Sequence, residues 1–230
     1  MVTMEKVVIS VGGSVLIPGN DDAKYIAELA NMLKEVSKEV QIAVVVGGGK
    51  MSRYYSETAR ELGGTMYQLD DLGIGITRVN AKLLTVALGD VANTEIPLKA
   101  EDCARMSAPG KVVVMGGTEP GHTTDAVASM IAENLKADRI INASNVDAVY
   151  SDDPRKNPDA KKFSKMTIQE LKDVVYDDHD AGKSCVFDPL GVTIAMREKI
   201  DLYMVNGRDI DELRNAILGK EIKGTFVDSH

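Results

Sequence analysis

The residues of this sequence whose types and spacing could do chemistry are glycines that follow short runs of valine and isoleucine. Clusters of two or three glycines stand at 12–13, 47–49 and 116–117, each directly after such a run. At the carboxyl end of a buried strand, glycines let backbone N–H groups approach an anion, and a following helix N-terminus adds partial positive charge. A tight turn would explain one cluster alone. Three clusters on successive strands predict a site for several phosphates or for one polyphosphate.

One cation is placed to meet those phosphates. Arg53 lies four residues after Gly49, so a helix that begins at the second cluster carries it one turn in. From there its guanidinium can point back at bound phosphates. A lone arginine on a helix is more often a solvated surface residue, but the three glycines before Arg53 favour the phosphate role.

Two better-known phosphate motifs are incomplete. The run AGKS at 181–184 ends like a P-loop, but Asp177 stands where that motif requires a glycine, and the sequence contains no GxGxxG run. The sequence therefore predicts a nucleotide site of another kind.

Alternating strands and helices must position these residues. Continuous apolar runs predict buried strands at 6–11, 41–46, 111–115, 139–143 and 201–205. Helical patterns cover about 22–36, 50–62, 71–88, 124–136, 167–176 and 209–218, and Asp188-Pro189 opens one more helix. This order predicts an α/β fold with a mostly parallel sheet covered on both faces. Ligands of such a sheet bind beyond the carboxyl ends of its strands.

Composition excludes several classes of function. The 230 residues carry 27 Lys and Arg against 35 Asp and Glu, a net charge of −8, which argues against nucleic-acid or anionic-membrane partners. Two cysteines without a CxxC pair and three histidines without an HxxxH pair predict neither a zinc site nor a disulfide. No uninterrupted apolar run approaches the ~18–20 residues that span a bilayer, and the N-terminus has no signal-sequence pattern. We expect a cytoplasmic protein.

Four motifs together resemble those of the amino acid kinase family. They are SVGGS at 10–14, VVVGGGK at 44–50 with Arg53, the spacing Asp70-x-x-Gly73-x-x-x-Thr77-x-x-Asn80, and SNVDAVY at 144–150 followed by DDP at 152–154. Within that family, GGTEPGHTTD at 116–125 resembles the archaeal-type branch whose acceptor is uridine monophosphate (UMP). The resemblance runs from about residue 7 to residue 225.

The resemblance implies transfer of the γ-phosphoryl group of ATP to UMP, in pyrimidine nucleotide biosynthesis, with Mg²⁺ as the cofactor of ATP. It implies one domain over residues 1–230, a three-layer α/β/α sandwich with a mainly parallel sheet. The N-terminal half would bind UMP and the C-terminal half ATP. Members of this branch are usually homohexamers, so it also implies that assembly.

The resemblance also assigns site residues in three groups. The ATP-binding residues would be Ser10, Val11, Gly12, Gly13, Ser14, Gly49, Arg53, Ser144, Asn145, Tyr150 and Asp153. The UMP-binding residues would be Gly48, Asp70, Thr118, Glu119, Pro120, Gly121, His122, Thr123 and Thr124. The catalytic residues would be Arg53, Asp125 and Asp188, the two aspartates organising other catalytic groups or the magnesium.

Several of these residues have structural alternatives. Asp70, Asp125 and Asp188 could each be helix caps, and Tyr150 could be a core residue. Many amino acid kinases also carry a lysine two residues before the first glycine, where this sequence has Ser10. Lys6 would lie about 13 Å further back along the strand. We therefore expect Arg53, Mg²⁺ and the loop amides to stabilise the transferred phosphoryl group.

Two other functions remain open at this point. A kinase of a small acid, of the acetylglutamate or carbamate type, would recognise a carboxylate with a guanidinium and would leave Asp70 and the loop at 118–125 unexplained. A catalytically silent nucleotide-binding subunit would fit Ser10, but the intact segment at 144–154 argues against it.

Overall fold

A computed structural model describes residues 4–154, 156–180 and 186–230 of the chain. The strands are β1 (Lys6–Val11), β2 (Gln41–Val46), β3 (Val112–Met115), β4 (Arg139–Ser144), β5 (Val149–Tyr150), β6 (Lys162–Phe163), β7 (Lys165–Thr167), β8 (Asp201–Asn206) and β9 (Thr225–Asp228). The helices are α1 (Gly13–Leu16), α2 (Asp22–Val36), α3 (Gly49–Glu61), α4 (Met66–Leu88), α5 (Ala100–Met106), α6 (Thr124–Leu135), α7 (Ile168–Asp180), α8 (Pro189–Glu198) and α9 (Ile210–Ile217).

One seven-stranded sheet has the order β3-β2-β1-β4-β8-β9-β7. From β3 to β8 all neighbours are parallel, and β9 runs antiparallel to β8. The register sets Val11 beside both Val46 and Ala143, so β1, β2 and β4 end at one level. The loops after these strands therefore meet at a single edge of the sheet, the edge at which an open α/β sheet binds ligands.

Two hydrophobic cores lie on opposite faces of this sheet. One packs α2, α4 and α9 against the strands and includes Leu29; the other packs α5 to α8 and includes Ile131. Alternate side chains of a strand point to opposite faces, so Val7 and Ile9 belong to the first core and Val8 to the second. This is why the strand runs are continuously apolar. The predicted three-layer α/β/α sandwich is confirmed.

Helix α4 begins earlier than the sequence pattern predicts, because Thr65 caps it. The Thr65 hydroxyl accepts from the Gln68 N–H, and the Gln68 amide oxygen accepts from the Thr65 N–H, which together form a capping box. Asp70 therefore lies inside the helix, and the alternative in which Asp70 is a helix N-cap is wrong.

Short elements account for most other differences from the predicted pattern. The sequence does not predict α5 or the strands β5, β6, β7 and β9, since elements of two to seven residues show too little periodicity. The polar segment after β4 forms the small antiparallel pair β5–β6, and β9 extends the main sheet by pairing with β8 and β7. The added strands lie beyond β4 and leave the glycine edge unchanged.

Helix α4 is also the one described segment that fits a membrane span by length and composition. Within the segment Met66–Val91, the most apolar stretch of 18 residues has a mean hydropathy of 1.2, and one third of that stretch is buried. Leu72, Val79, Leu83 and Val86 lie between 41% and 79% exposed. We call these four residues the α4 stripe. Although no long uninterrupted apolar run stands in the sequence, α4 thus has the composition of a span, and its stripe is free to meet a partner surface.

Candidate active site at the carboxyl edge of the sheet

The loops after β1 and β2 pack backbone against backbone. A Cβ added to Gly13 would lie 2.1 Å from the N atom of Gly49, and a Cβ on Gly49 would lie 2.7 Å from the carbonyl oxygen of Gly13. Gly49 also has a φ of +63°, in the left-handed region that favours glycine. Only glycine fits at either position. Two helices, α1 and α3, therefore begin side by side at this contact.

Not every glycine of the first cluster can offer its N–H to a ligand. The Gly12 N–H donates to the Ala143 carbonyl at 3.0 Å, and Val11 is fully buried with its carbonyl accepting from the Gly47 N–H. The expectation that Gly12 supplies an N–H to phosphate is therefore wrong, and Val11 does not reach a ligand surface. Gly13 and Ser14 begin α1, where N–H groups have no intrahelical acceptor.

Arg53 joins the two loops. Its Nη2 donates to the hydroxyl of Ser14 at 3.1 Å, so the guanidinium lies over the start of α1, as the four-residue spacing from Gly49 predicts. The Lys50 Nζ, from the first turn of α3, donates to the carbonyl of Pro18, beyond the end of α1, at 2.9 Å. Arg53 thus places a cation at the start of α1, where an anion would be stabilised.

A cavity of about 340 Å³ opens beside the second glycine loop, between α3, α4 and the loop after β3. Seven of the nine residues assigned to UMP line it, all but Gly48 and Thr118. The full lining consists of Ser52, Ser56, Leu69, Asp70, Gly73, Ile74, Thr77, Gly117, Glu119, Pro120, Gly121, His122, Thr123 and Thr124. None of these residues is a lysine or an arginine.

Asp70 closes one side of the cavity. Its Oδ2 accepts from the Gly121 N–H at 3.2 Å, which ties α4 to the far end of the loop after β3. The other carboxylate oxygen is left to accept from a ligand hydroxyl. In the same loop, the buried Thr118 Oγ1 and His122 Nδ1 have no hydrogen-bond partner among the described residues, although His122 Nδ1 lies 3.5 Å from Glu119 Oε1. Of these two residues, His122 lines the cavity and Thr118 does not.

One face of α4 holds both loops in place. The Thr77 hydroxyl accepts from the Gly117 N–H at 2.7 Å, and the Asn80 side-chain amide donates to the carbonyls of Gly47 and Gly48 at 2.9 and 3.3 Å. Positions three, four and seven apart share a helix face. The motif spacing Asp70, Thr77, Asn80 therefore makes α4 the common support of the site.

Asp125 and Asp188 face each other at the start of α6 and α8. The Ser10 hydroxyl donates to Asp125 Oδ1 at 2.7 Å, and the Thr123 hydroxyl donates to Asp188 Oδ2 at 2.7 Å. Burial, offset in part by the Ser10 hydrogen bond and reinforced by the charge of Asp188, raises the pKa of Asp125 to about 6. Ser10 is itself buried, so it reaches a ligand only through Asp125.

Of these two aspartates, which could each be a helix cap from the sequence, only one caps its helix. Asp188 does cap α8, since its Oδ1 accepts from the N–H groups of Leu190 and Gly191. Asp125 does not cap α6, because the Thr123 hydroxyl accepts from the Ala126 N–H instead. Asp125 therefore has a buried carboxylate that does not cap the helix.

The segment after β4 reaches the same edge from the other side of β1. Ser144 lies beside the first loop, and its hydroxyl is paired with the Val146 backbone. Tyr150 is half-buried and donates to Asp147 Oδ1 at 2.9 Å, so it is not a core residue. Asn145 is exposed, and the Asp153 carbonyl accepts from the N–H groups at 156 and 157. The incomplete P-loop at 181–184 lies outside the described residues.

A family model described as "Amino acid kinase family" matches residues 5–206 of the chain. The chain belongs to the amino acid kinase family. This amino acid kinase is 42% identical over 225 residues to a protein named uridylate kinase from Methanobrevibacter smithii, covering 97% of this chain and 99% of that one. It is 43% identical to the uridylate kinase of Pyrococcus abyssi, with the same two shares.

Solved structures agree with this assignment. The crystal structure of uridylate kinase from Archaeoglobus fulgidus is 40% identical to this amino acid kinase, with a TM-score of 0.84 over 96% of this chain and 99% of that one. A UMP kinase structure from Bacillus anthracis, at 23% identity and a TM-score of 0.79, shows the same fold.

Some site residues escape the sequence patterns. Ser52 and Ser56 line the cavity from α3, and Arg78 donates to two carbonyls of the loop after β3. Their signal is positional: Ser52 and Ser56 are four residues apart on the helix that starts at Gly49, and Arg78 adjoins Thr77 of the α4 motif. Neither residue type points to a nucleotide without that context.

Proposed function

We propose that this amino acid kinase transfers the γ-phosphoryl group of ATP to UMP, giving UDP and ADP. The observation that carries the proposal is the cavity bounded by Asp70 and Gly121, which opens directly beside the joined glycine loops. An acceptor in the cavity and a donor over α1 would meet at these loops. The names of the relatives, at about 42% identity over the full length, support the same activity.

The N-terminal half would hold UMP. The free oxygen of Asp70 would accept from a ribose hydroxyl, and the loop 118–124 would surround the nucleoside with hydroxyl and backbone groups. Gly48, at the start of α3, would offer its backbone to the acceptor phosphate. A small-acid substrate would instead need a cation to bind its carboxylate, and the described cavity lining contains carboxylates and no lysine or arginine.

The C-terminal half, with the first loop, would hold ATP. The N–H groups of Gly13 and Ser14 would bind the outer phosphates together with Gly49. Ser144, Asn145, Tyr150 and Asp153 would surround the adenosine from the segment after β4. One domain would thus hold donor and acceptor on either side of β1 and β2.

The transfer itself requires positioning and charge stabilisation. An oxygen of the UMP phosphate would attack the γ-phosphorus as the bond to the bridging oxygen of ADP breaks, so no proton transfer limits the step. Arg53, held over Ser14, would stabilise the charge on the transferred group. At the position where many amino acid kinases have a lysine, this chain has Ser10, and the Ser10 hydroxyl donates to Asp125.

The residues present fit a magnesium ion. Mg²⁺ in kinases is bound by one or two carboxylates together with substrate phosphates, and Asp125 and Asp188 are two carboxylates close enough for the charge of one to raise the pKa of the other. These two aspartates would hold the ion. When bound, Mg²⁺ neutralises phosphate charge and orients the transferred group.

We also propose a cytoplasmic homohexamer in which the α4 stripe contacts another copy. The opposite face of α4 is built into the core and supports both loops, so insertion of α4 into a bilayer would dismantle the site. The helix also carries Asp70, Asp71, Arg78 and Lys82, each costly in lipid. A second copy would cover the stripe without either cost, and the acidic surface offers nucleic acid no partner face.

A coupled assay tests the function. Mg·ATP is supplied with UMP, CMP, N-acetylglutamate or carbamate, and ADP release is followed. We expect release that depends on UMP and not on either small acid. Absence of ADP release with UMP would refute the proposal, and ATP binding without any turnover would favour a silent nucleotide-binding subunit.

A further inference from the structure

Arg78 is fixed against the loop after β3, residues 116–121, which we call the acceptor loop. Its Nε donates to the Gly117 carbonyl at 3.2 Å and its Nη2 to the Thr118 carbonyl at 2.8 Å. The guanidinium is planar, so its two donors hold both carbonyls in one rigid fork. A Cβ on Gly116 would lie 2.7 Å from the N atom of Arg78, so helix and loop also touch through their backbones.

This fork determines where the neighbouring N–H groups point. In a trans peptide, the carbonyl and the N–H of one unit face opposite ways. The Gly117 carbonyl shares its unit with the Thr118 N–H, and the Thr118 carbonyl shares its unit with the Glu119 N–H. Both N–H groups therefore point away from Arg78. Gly117 and Glu119 line the cavity, whereas Arg78 does not.

The acceptor loop consequently offers unpaired donors. Among the described residues, none accepts from the N–H groups of Thr118 or Glu119. The buried Thr118 hydroxyl also lacks a partner. Without Arg78, the same peptide units could turn and present carbonyl oxygens to the cavity instead. The arginine therefore determines whether the loop meets a ligand with donors or with acceptors.

The sheet order indicates which part of the acceptor this loop meets. The acceptor phosphate must lie at the loops of β1 and β2, where it reaches the donor. The acceptor loop follows β3, the edge strand, which lies beside β2 on the side away from β1, about 5 Å from β2 and about 10 Å from β1 at the usual strand spacing. The end of the nucleotide remote from its phosphate, the base, is therefore what reaches the acceptor loop.

We propose that Arg78 is a positioning residue for base selection: by holding the Gly117 and Thr118 carbonyls away from the cavity, it makes the acceptor loop present donors, which favour uracil over cytosine. This inference rests on the proposed UMP kinase activity. Uracil carries a carbonyl at position 4, which accepts hydrogen bonds, whereas cytosine carries an amino group there, which donates. A loop N–H that faces the amino group of cytosine would leave both groups desolvated and without an acceptor.

The test measures kcat/KM for UMP and for CMP at saturating Mg·ATP. The variants are Arg78→Ala, Arg78→Lys and Lys82→Ala, the last being an exposed residue one turn further along α4. We expect wild type and Lys82→Ala to share one UMP-to-CMP preference. Arg78→Ala should lower that preference at least about tenfold, with the KM for ATP within about twofold of wild type.

Arg78→Lys separates geometry from charge. A lysine keeps the positive charge but lacks the rigid fork, so we expect it also to lose most of the preference. A wild-type preference in either Arg78 variant would overturn the inference, and if Arg78→Ala does not fold, Arg78→Lys decides. Wild type that phosphorylates neither nucleotide would instead refute the proposed function, so the two failures are distinguishable.

Discussion

Asp125→Asn tests the buried carboxylate that faces the donor loop. Asp125 keeps some exposed surface as a residue, but its carboxyl group is enclosed, and its pKa is raised from 3.8 to about 6. A carboxyl whose pKa is higher in the folded than in the unfolded chain is a cost to folding once it ionises. Asparagine has the same shape, can still accept from the Ser10 hydroxyl, and carries no charge.

The magnitude follows from the two pKa values. A shift of about two units corresponds to about 3 kcal/mol, at about 1.4 kcal/mol per unit. Below pH 4 the carboxyl is protonated in both states, so there is no cost. As the pH rises through about 6, the Asp125 carboxyl ionises in the folded protein despite its burial. From there upward the full cost to the free energy of folding is present. We therefore expect the free energy of unfolding of Asp125→Asn to exceed that of wild type by about 3 kcal/mol at pH 8.

Thermal unfolding followed by circular dichroism at pH 4.5, 6 and 8 measures the effect, without nucleotide or Mg²⁺ and at one protein concentration. For a chain of this size, about 3 kcal/mol corresponds to roughly 6–12 °C in Tm. Asp159→Asn, at an exposed aspartate between β5 and β6, is the control and should follow wild type. The variant should meanwhile lose kinase activity, since it removes one of the two carboxylates assigned to magnesium.

The pH dependence is the decisive part of this experiment. A stability gain that is equal at pH 4.5 and pH 8 would refute the argument, as would no gain at pH 8. Ser10→Ala provides an independent check, because the Ser10 hydrogen bond lowers the pKa of Asp125. Its loss should raise that pKa further and shift the fall in stability to higher pH.

Three further predictions follow from the site and the helix surface. Gly49→Ala should destabilise the fold by several kcal/mol, roughly 3 or more, because its Cβ would meet the Gly13 carbonyl, while Gly75→Ala, with open space around its Cβ, should be neutral or stabilising in thermal unfolding. Asp70→Asn should raise the KM for UMP at least about tenfold and leave that for ATP unchanged; equal changes in steady-state kinetics would remove Asp70 from the ribose role. Val79→Lys should dissociate the assembly in light-scattering chromatography, and Leu98→Lys, at an exposed apolar residue away from α4, should not; an unchanged mass for Val79→Lys would exclude the α4 stripe as the interface.

Most of the fold could be predicted from residue patterns. Apart from their first residues and Ser10, the runs KVVISV, QIAVVV and KVVVM are apolar because both faces of their strands are covered, and each predicts a strand that is present within one residue of its bounds. The start of α4 could not be placed in the same way. The first three residues of the helix, at 66–68, are exposed and so show no buried apolar periodicity, and the capping box at Thr65 competes with a cap at Asp70.

The candidate site could be predicted from the sequence only in part. Glycine clusters and the four-residue spacing to Arg53 are local features, and they indicate the glycine loops at which α1 and α3 begin. Which glycine has a free N–H is not local: the Gly12 N–H is taken by Ala143, more than 130 positions away in the chain. No pattern in the sequence records that pairing.

Local composition thus establishes the class of fold and the positions of the glycine loops after its strands, because these depend on neighbours in the chain. The roles of Ser10, Arg78 and Asp125 depend on contacts between β1, α4 and α6, which only the packed molecule brings together. The glycines of the first and second clusters illustrate both the local sequence pattern and the tertiary contact. Their positions after strands are evident in the sequence, but the reason no side chain fits at Gly13 or Gly49 is that each occupies the space the other would need.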